Sequence, residues 1–251
     1  MTRVPSFGSV AEGRLGTRAF RLRACRCRGG GGGGGPCACG ALASFWHDVP
    51  LALELAQGVA EASFVCEIPR GTRAKMEVST SEPGSPIRQD LTKDGRLRRY
   101  AWTMEWNYGM LPRTWEDPGH AASAYAGLSA YPGDGDPIDV VEIGARRCGT
   151  GSVHRVRLLG ALAMIDGGEL DWKLVALRLD DPDAGRVRTL ADLRRERPGE
   201  LARIKRWFRG YKVPEGKPAN KFALRGACVD PVPVVREAHL AYARRHGRRE
   251  L

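Results

Sequence analysis

The chain has 251 residues, 42% of them hydrophobic, enough to bury a substantial core, and its length suits one domain with an extension. No run approaches the roughly 18 to 20 consecutive apolar residues that a membrane-spanning helix requires, so no membrane partner is expected. The formal charge of +11 would suit a polyanion, but residues 1–44 hold seven Arg against the single acid Glu12, so about half the excess sits in one terminal segment and nucleic acid is not the expected partner.

Those first 44 residues are rich in Arg and Gly and poor in acids. Residues 29–35 are all glycine, which costs much backbone entropy to order, so 1–44 is expected to be a disordered leader outside the fold with the composition of an organellar transit peptide. Cys25, Cys27, Cys37 and Cys39 flank the glycine run. The odd total of seven cysteines argues against a disulfide framework, and C-x-C spacing unframed by a helix or hairpin argues against zinc. Cys66, Cys148 and Cys228 are expected to pack as small apolar side chains.

From residue 45 the texture becomes short alternating runs with dense turn signals. Residues 73–78 alternate with period two, which in a strand puts Lys75 and Glu77 on one face and Ala74, Met76 and Val78 on the other. Further strands are expected near 63–68, 140–143, 153–159, 161–165 and 172–179, punctuated by Gly and Pro. Helical spacing arrives late. Thr189 and Asp192 resemble a capping box, Pro198 could open a second helix that presents Leu201, Ile204 and Phe208 and stops at Gly210, and a third runs from about Val234 to His246 and closes at Gly247. Strands first and helices last predict an α+β fold whose sheet is a small closed barrel.

The most informative stretch is Gly133-Asp134-Gly135-Asp136-Pro137-Ile138-Asp139. Three carboxylates so close repel one another, and hard divalent cations are the natural compensation. The glycines and proline let the segment curl its acids toward one point. A calcium loop fails on count, because the sixth position from Asp134 is Asp139 where Gly is needed and the twelfth is Ala145 where Glu is needed. A solvated acidic turn is the bland alternative. Asp166 and Asp171 flank a Gly167-Gly168 turn, with Lys173 following, and can reach the rim of the same sheet or merely decorate a hairpin. Lys75, Arg98, Tyr211 and Lys212 offer charges and a phenol for an anion, though each alone is also read as a solvated or snorkelling side chain.

At this point the chain resembles the family I soluble inorganic pyrophosphatases. The run Asp134-Gly135-Asp136-Pro137-Ile138-Asp139-Val140 is similar to that family's signature, and Glu67-Ile68-Pro69-Arg70, Ala74-Lys75-Met76-Glu77, Asn107-Tyr108-Gly109, Thr114-Trp115-Glu116-Asp117-Pro118, Asp171-Trp172-Lys173 and residues 207–218 follow in the family's order. The likeness covers about residues 45–246, and residues 46–51 and 106–109 resemble the plastid-type enzymes of plants and algae. It implies a five-stranded OB-like closed barrel with flanking C-terminal helices in a pyrophosphatase domain over 45–251, acting as monomer or homodimer in a plastid, or else in a mitochondrion or the cytoplasm.

The implied reaction is magnesium-dependent hydrolysis of pyrophosphate to two phosphates. Asp134, Asp139 and Asp171 would hold a first metal, Asp139 bridging to a second, with Asp166 and Glu77 holding further Mg²⁺ and Glu67 and Glu116 supporting them. Asp136 would hold the nucleophilic water. Lys75, Arg98, Tyr108, Tyr211 and Lys212 would clamp the phosphoryl groups, with Lys173 nearby and Lys217 as a further, secondary candidate. Met104 departs from the pattern, since many relatives carry a tyrosine there, and the Ala-rich insert 120–131 has no functional reading. The competing reading is a non-hydrolytic OB-like module that binds nucleic acid or another polyanion.

Overall fold

Alternating apolar positions in the sequence become strands that feed two separate cores. The computed structural model describes residues 6–27, 39–56, 58–120 and 124–247; the glycine run 29–35, Cys37 and residues 121–123 of the Ala-rich insert lie outside the described residues. The strands are β1 (Phe7–Glu12), β2 (Arg21–Cys27), β3 (Cys39–Ala43), β4 (Glu54–Ala56), β5 (Val59–Ile68), β6 (Met76–Val78), β7 (Ile87–Gln89), β8 (Asn107–Met110), β9 (Asp139–Glu142), β10 (Val153–Asp166) and β11 (Glu169–Arg178). Helices α1 (Leu190–Glu196) and α2 (Glu200–Gly210), the short strands β12 (Lys221–Phe222) and β13 (Cys228–Val229), and α3 (Pro231–His246) follow. This is the mixed α+β architecture expected. No described helix is long and apolar enough to cross a membrane.

The larger sheet runs β5–β8–β9–β11–β10, and β10 pairs with β5 as well. All these pairings are antiparallel except β9 with β11. On β11, Val175 and Leu177 enter one core while Leu174 and Ala176 enter the other, and Val141 and Val140 divide the same way on β9. Both faces of these strands are therefore buried, which is why they read as near-continuous apolar runs. Two expected strands, 153–159 and 161–165, are one long β10 with a bulge between Leu158 and Gly160.

Residues 6–27 and 39–44 depart from the expected disorder. β1 and β2 form a hairpin, β3 adds to β2, and Leu22 on β2 pairs with Ile87 on β7, so these strands belong to the second sheet. Phe20, Leu22 and Ala24 are buried in the same core as Phe45 and Trp46. The physical reason was in plain view: 21–24 alternate Arg-Leu-Arg-Ala, a strand pattern that the Arg and Gly content masked. Cys25 and Cys39 form a disulfide across β2 and β3, contrary to the expectation from the cysteine count.

The helix signals hold closely. Thr189 accepts from Asp192 N at 3.1 Å while Thr189 N donates back to the Asp192 carboxylate at 3.0 Å. Pro198 lies just before α2, whose N-cap is Gly199 at φ 86°. α3 begins at Pro231, earlier than expected, because Asp230 caps it by accepting from Val232 N at 3.0 Å and Pro231 fits the first turn; Gly247 closes it at φ 58°.

Candidate active site

Elements far apart in sequence meet at one cavity of about 330 Å³. The loop before β9 supplies Asp134 and Asp136, and β9 itself supplies Asp139. Asp166 stands at the end of β10, with Asp171 and Lys173 near the start of β11. Glu67 comes from the end of β5, Lys75 and Glu77 from the β6 segment, Tyr108 from β8, and Tyr211 and Lys212 from the C-terminus of α2. Register makes these neighbours: Asp139 stands opposite both Met110 and Lys173.

The Asp loop is shaped by its glycines. A Cβ on Gly133 would lie 2.4 Å from the Glu116 carbonyl carbon, so only glycine lets the loop pass there. Gly135, at φ 85°, donates to the Glu116 carbonyl at 2.9 Å, and Asp136 N donates to the Asp134 side chain at 2.9 Å. The result turns Asp134 toward Glu116 and Asp171, and one carboxylate oxygen from each of the three lies within 4.8 Å of the other two.

Packing acids this closely shifts their protonation. Burial first, then Asp136 and Asp139, pushes Asp134 up to about 7. Burial, then Glu77 and Asp139, pushes Asp136 up to about 6. Glu116 and Asp171 are raised well above the carboxylate range by burial and by neighbouring acids, against the pull of Lys173. Glu67 is raised by burial and Asp139, while it accepts from Val78 N at 2.6 Å. One oxygen of Glu116 accepts from Trp172 N at 2.9 Å, and the other is buried without a hydrogen-bond partner among the described residues. An orphaned carboxylate oxygen beside two further acids fits the oxygen donor set of a hard divalent cation, so Glu116 is able to offer such an ion a ligand alongside Asp134 and Asp171.

Cations and phenols face this cluster. Lys173 donates to Asp139 and Asp171, Lys212 donates to Asp166, and Tyr108 donates to Asp139. Tyr211 reaches Asp166 at 3.3 Å. Lys75 lies 2.6 Å from Glu77 and 2.8 Å from Asp90, while Arg98 contacts Asp90 at 3.1 Å and Glu215 at 3.2 Å. Burial opposes the charge on Lys75, but Glu77 and Asp90 outweigh it and hold the amine protonated. Lys217 does not line the cavity; it is 3.9 Å from Glu215 at the outer edge, and its pKa is lowered by desolvation and by Arg98. Tyr100 lines the cavity and Asp90 lies behind Lys75 and Arg98, and sequence reasoning named neither. Asp90 holds both Lys75 and Arg98 in place, yet in sequence it is a lone acid after a strand, with no pattern to mark it.

Acids able to hold divalent cations, set against a clamp of lysine, arginine and phenol, define a site for metal-assisted chemistry on phosphate. A family model described as inorganic pyrophosphatase matches residues 64–242, and the chain belongs to that family. It is 47% identical over 204 residues to the chloroplastic soluble inorganic pyrophosphatase 1 of Chlamydomonas reinhardtii, covering 80% of this chain and 70% of that protein. With the chloroplastic soluble inorganic pyrophosphatase 6 of Arabidopsis thaliana the identity is 51%, over 74% of this chain and 59% of the relative. The crystal structure of the type I enzyme from Toxoplasma gondii is similar at 40% identity and a TM-score of 0.83, covering 95% of this chain and 99% of that one. That coverage exceeds what residues 45–251 alone supply, so the likeness extends into the N-terminal strands.

Proposed function

We infer that this chain hydrolyses inorganic pyrophosphate to two phosphates with the help of Mg²⁺. The observation that carries the reading is the Glu116–Asp134–Asp171 cluster facing Lys75, Arg98 and Lys212 within or around one cavity. Asp134, Asp139 and Asp171, with Glu116, would hold the first cations, and Asp166 and Glu77 would hold those that accompany substrate. Bound there, Mg²⁺ would acidify a water and offset the charge that builds on the reacting phosphate oxygens. A truncated vacuolar soluble pyrophosphatase from Trypanosoma cruzi, solved in complex with PPi, is similar at a TM-score of 0.84 and 33% identity.

The chain's own residues then have defined work. Lys75 and Arg98, fixed by Asp90, hold one phosphoryl group, the guanidinium as a two-pronged fork and the amine as a point charge. Lys212 and Tyr211, both against Asp166, hold the other. Asp136, which lines the cavity beside Asp134 and Asp139, orients the attacking water and accepts its proton. Asp139 is positioned by Tyr108 and Lys173.

The return pairing of β10 to β5 supports a five-stranded OB-like barrel as the scaffold, with the site at one end. The chloroplastic relatives support a plastid location, tested by following a reporter fused to the full chain in algal cells; diffuse cytosolic signal would count against it. Phosphate release from pyrophosphate, with Mg²⁺ and with chelator, tests the activity. Release that requires Mg²⁺ is the expected outcome, and none from folded protein would leave the polyanion-binding reading in its place.

A further inference from the structure

Three phenols border the cavity, and only two have protein partners. Tyr108 donates to Asp139 and Tyr211 reaches Asp166, whereas the Tyr100 hydroxyl makes no hydrogen bond with any described residue. Tyr100 is 2% exposed, and its oxygen is not sealed off from the cavity it lines. Buried tyrosine hydroxyls ordinarily find a partner, because an unmet donor costs its lost hydration. A tyrosine held here only for its ring would be better replaced by phenylalanine.

The placement of the ring identifies the missing partner. Tyr100 N donates to the Arg73 carbonyl at 2.7 Å and its own carbonyl accepts from Arg73 Nε at 2.8 Å, which fixes the backbone two residues beyond Arg98. Trp207 and Tyr211 grip the ring edge-on at 5.2 and 5.5 Å. Lys75 N donates to the Arg98 carbonyl at 3.1 Å, so Lys75, Arg98 and Tyr100 come from adjoining pieces of backbone. The phenol lies within the electrostatic reach of Lys75, Asp139, Lys173 and Arg98, and burial raises its pKa, keeping it protonated and a donor. Asp139 already receives Tyr108 and Lys173, and Asp90 already receives Lys75 and Arg98.

We propose that Tyr100 Oη donates a hydrogen bond to an oxygen of the phosphoryl group held by Lys75 and Arg98, making Tyr100 a further substrate-binding residue. The proposal rests on the pyrophosphate reading above. Tyr100→Phe removes the hydroxyl and keeps the ring against Trp207 and Tyr211. Turnover kinetics should show kcat/KM for pyrophosphate lower by about 10- to 100-fold, the range for losing one hydrogen bond to a charged group. Calorimetry with the non-hydrolysable methylenediphosphonate and Mg²⁺ should show weaker binding by a similar factor, with Mg²⁺ affinity of the free protein unchanged. Melting temperature checks the fold, and binding is measured well below the transition. Tyr100→Leu, which also removes the ring, should lose stability that Tyr100→Phe retains. A Tyr100→Phe protein within twofold of wild type in both kcat/KM and analogue affinity overturns the inference, even though wild type hydrolyses pyrophosphate. A wild type with no Mg²⁺-dependent release overturns the underlying reading instead.

Discussion

Replacing Asp134 by Asn should stabilise the metal-free protein, and the size of the gain follows from the crowding of its carboxylate. In the folded chain Asp134 titrates at about 7 against an ordinary 3.8, a raised value caused by burial and by Asp136 and Asp139. For an acid whose folded pKa is raised, the stabilising proton is retained at low pH and lost as pH rises through the folded value, so ionisation weakens the fold between about 4 and 7. At about 1.4 kcal/mol per pH unit the shift corresponds to roughly 4 kcal/mol at pH 8, an upper bound because the neighbouring acids share it. Asparagine keeps the side-chain oxygen that accepts from Asp136 N at 2.9 Å and carries no charge. Asp134→Asn should therefore gain about 2 kcal/mol or more in chelator at pH 8, which raises the melting temperature by roughly 4–8 °C for a chain of this size. At pH 5 the gain should shrink to less than half. With Mg²⁺ present the order should reverse, because the variant has lost a charged ligand. Scanning calorimetry at both pH values, with chelator and with Mg²⁺, measures all of this. A variant less stable than wild type in chelator at pH 8, or one equally favoured at pH 5, would refute the reasoning.

Other outcomes follow from the same geometry. Asp136→Asn should lower turnover by about 10² to 10⁴ with little change in Mg²⁺ affinity, whereas Asp171→Asn should weaken Mg²⁺ binding first and recover in part with excess metal; Mg²⁺ titrations of activity separate the two. Asp90→Asn should raise the KM for pyrophosphate several-fold with a smaller effect on kcat, because Lys75 and Arg98 lose the carboxylate that aims them, and steady-state kinetics would read it. Deleting residues 1–27 uncovers Ile87 and Phe45 and removes the buried Phe20 and Leu22, each worth about 1.5–3 kcal/mol, so the melting temperature should fall steeply; an unchanged transition would show that the second sheet does without them.

The sequence by itself determined the chemistry of this protein more fully than its outline. Asp134, Asp136 and Asp139 lie within one short loop, so their spacing, their mutual repulsion and the glycines that bend them are local facts, legible without a fold. The helix ends at Thr189 and Gly247 were readable for the same reason, because a cap is decided by a few adjacent residues. Only the tertiary structure decided which distant side chains meet. Glu116 joins Asp134 and Asp171 because the chain passes Gly133 against the Glu116 backbone, a contact no local pattern encodes. Asp90 meets Lys75 and Arg98, and Tyr100 lines the same cavity as they do, only because the chain folds these pieces together. The N-terminal segment shows the opposite bias: its composition argued for disorder, yet Leu22 pairs with Ile87 and Phe20 is buried with Phe45, because burial against a remote surface can repay the ordering of a strand that local propensity alone would leave free.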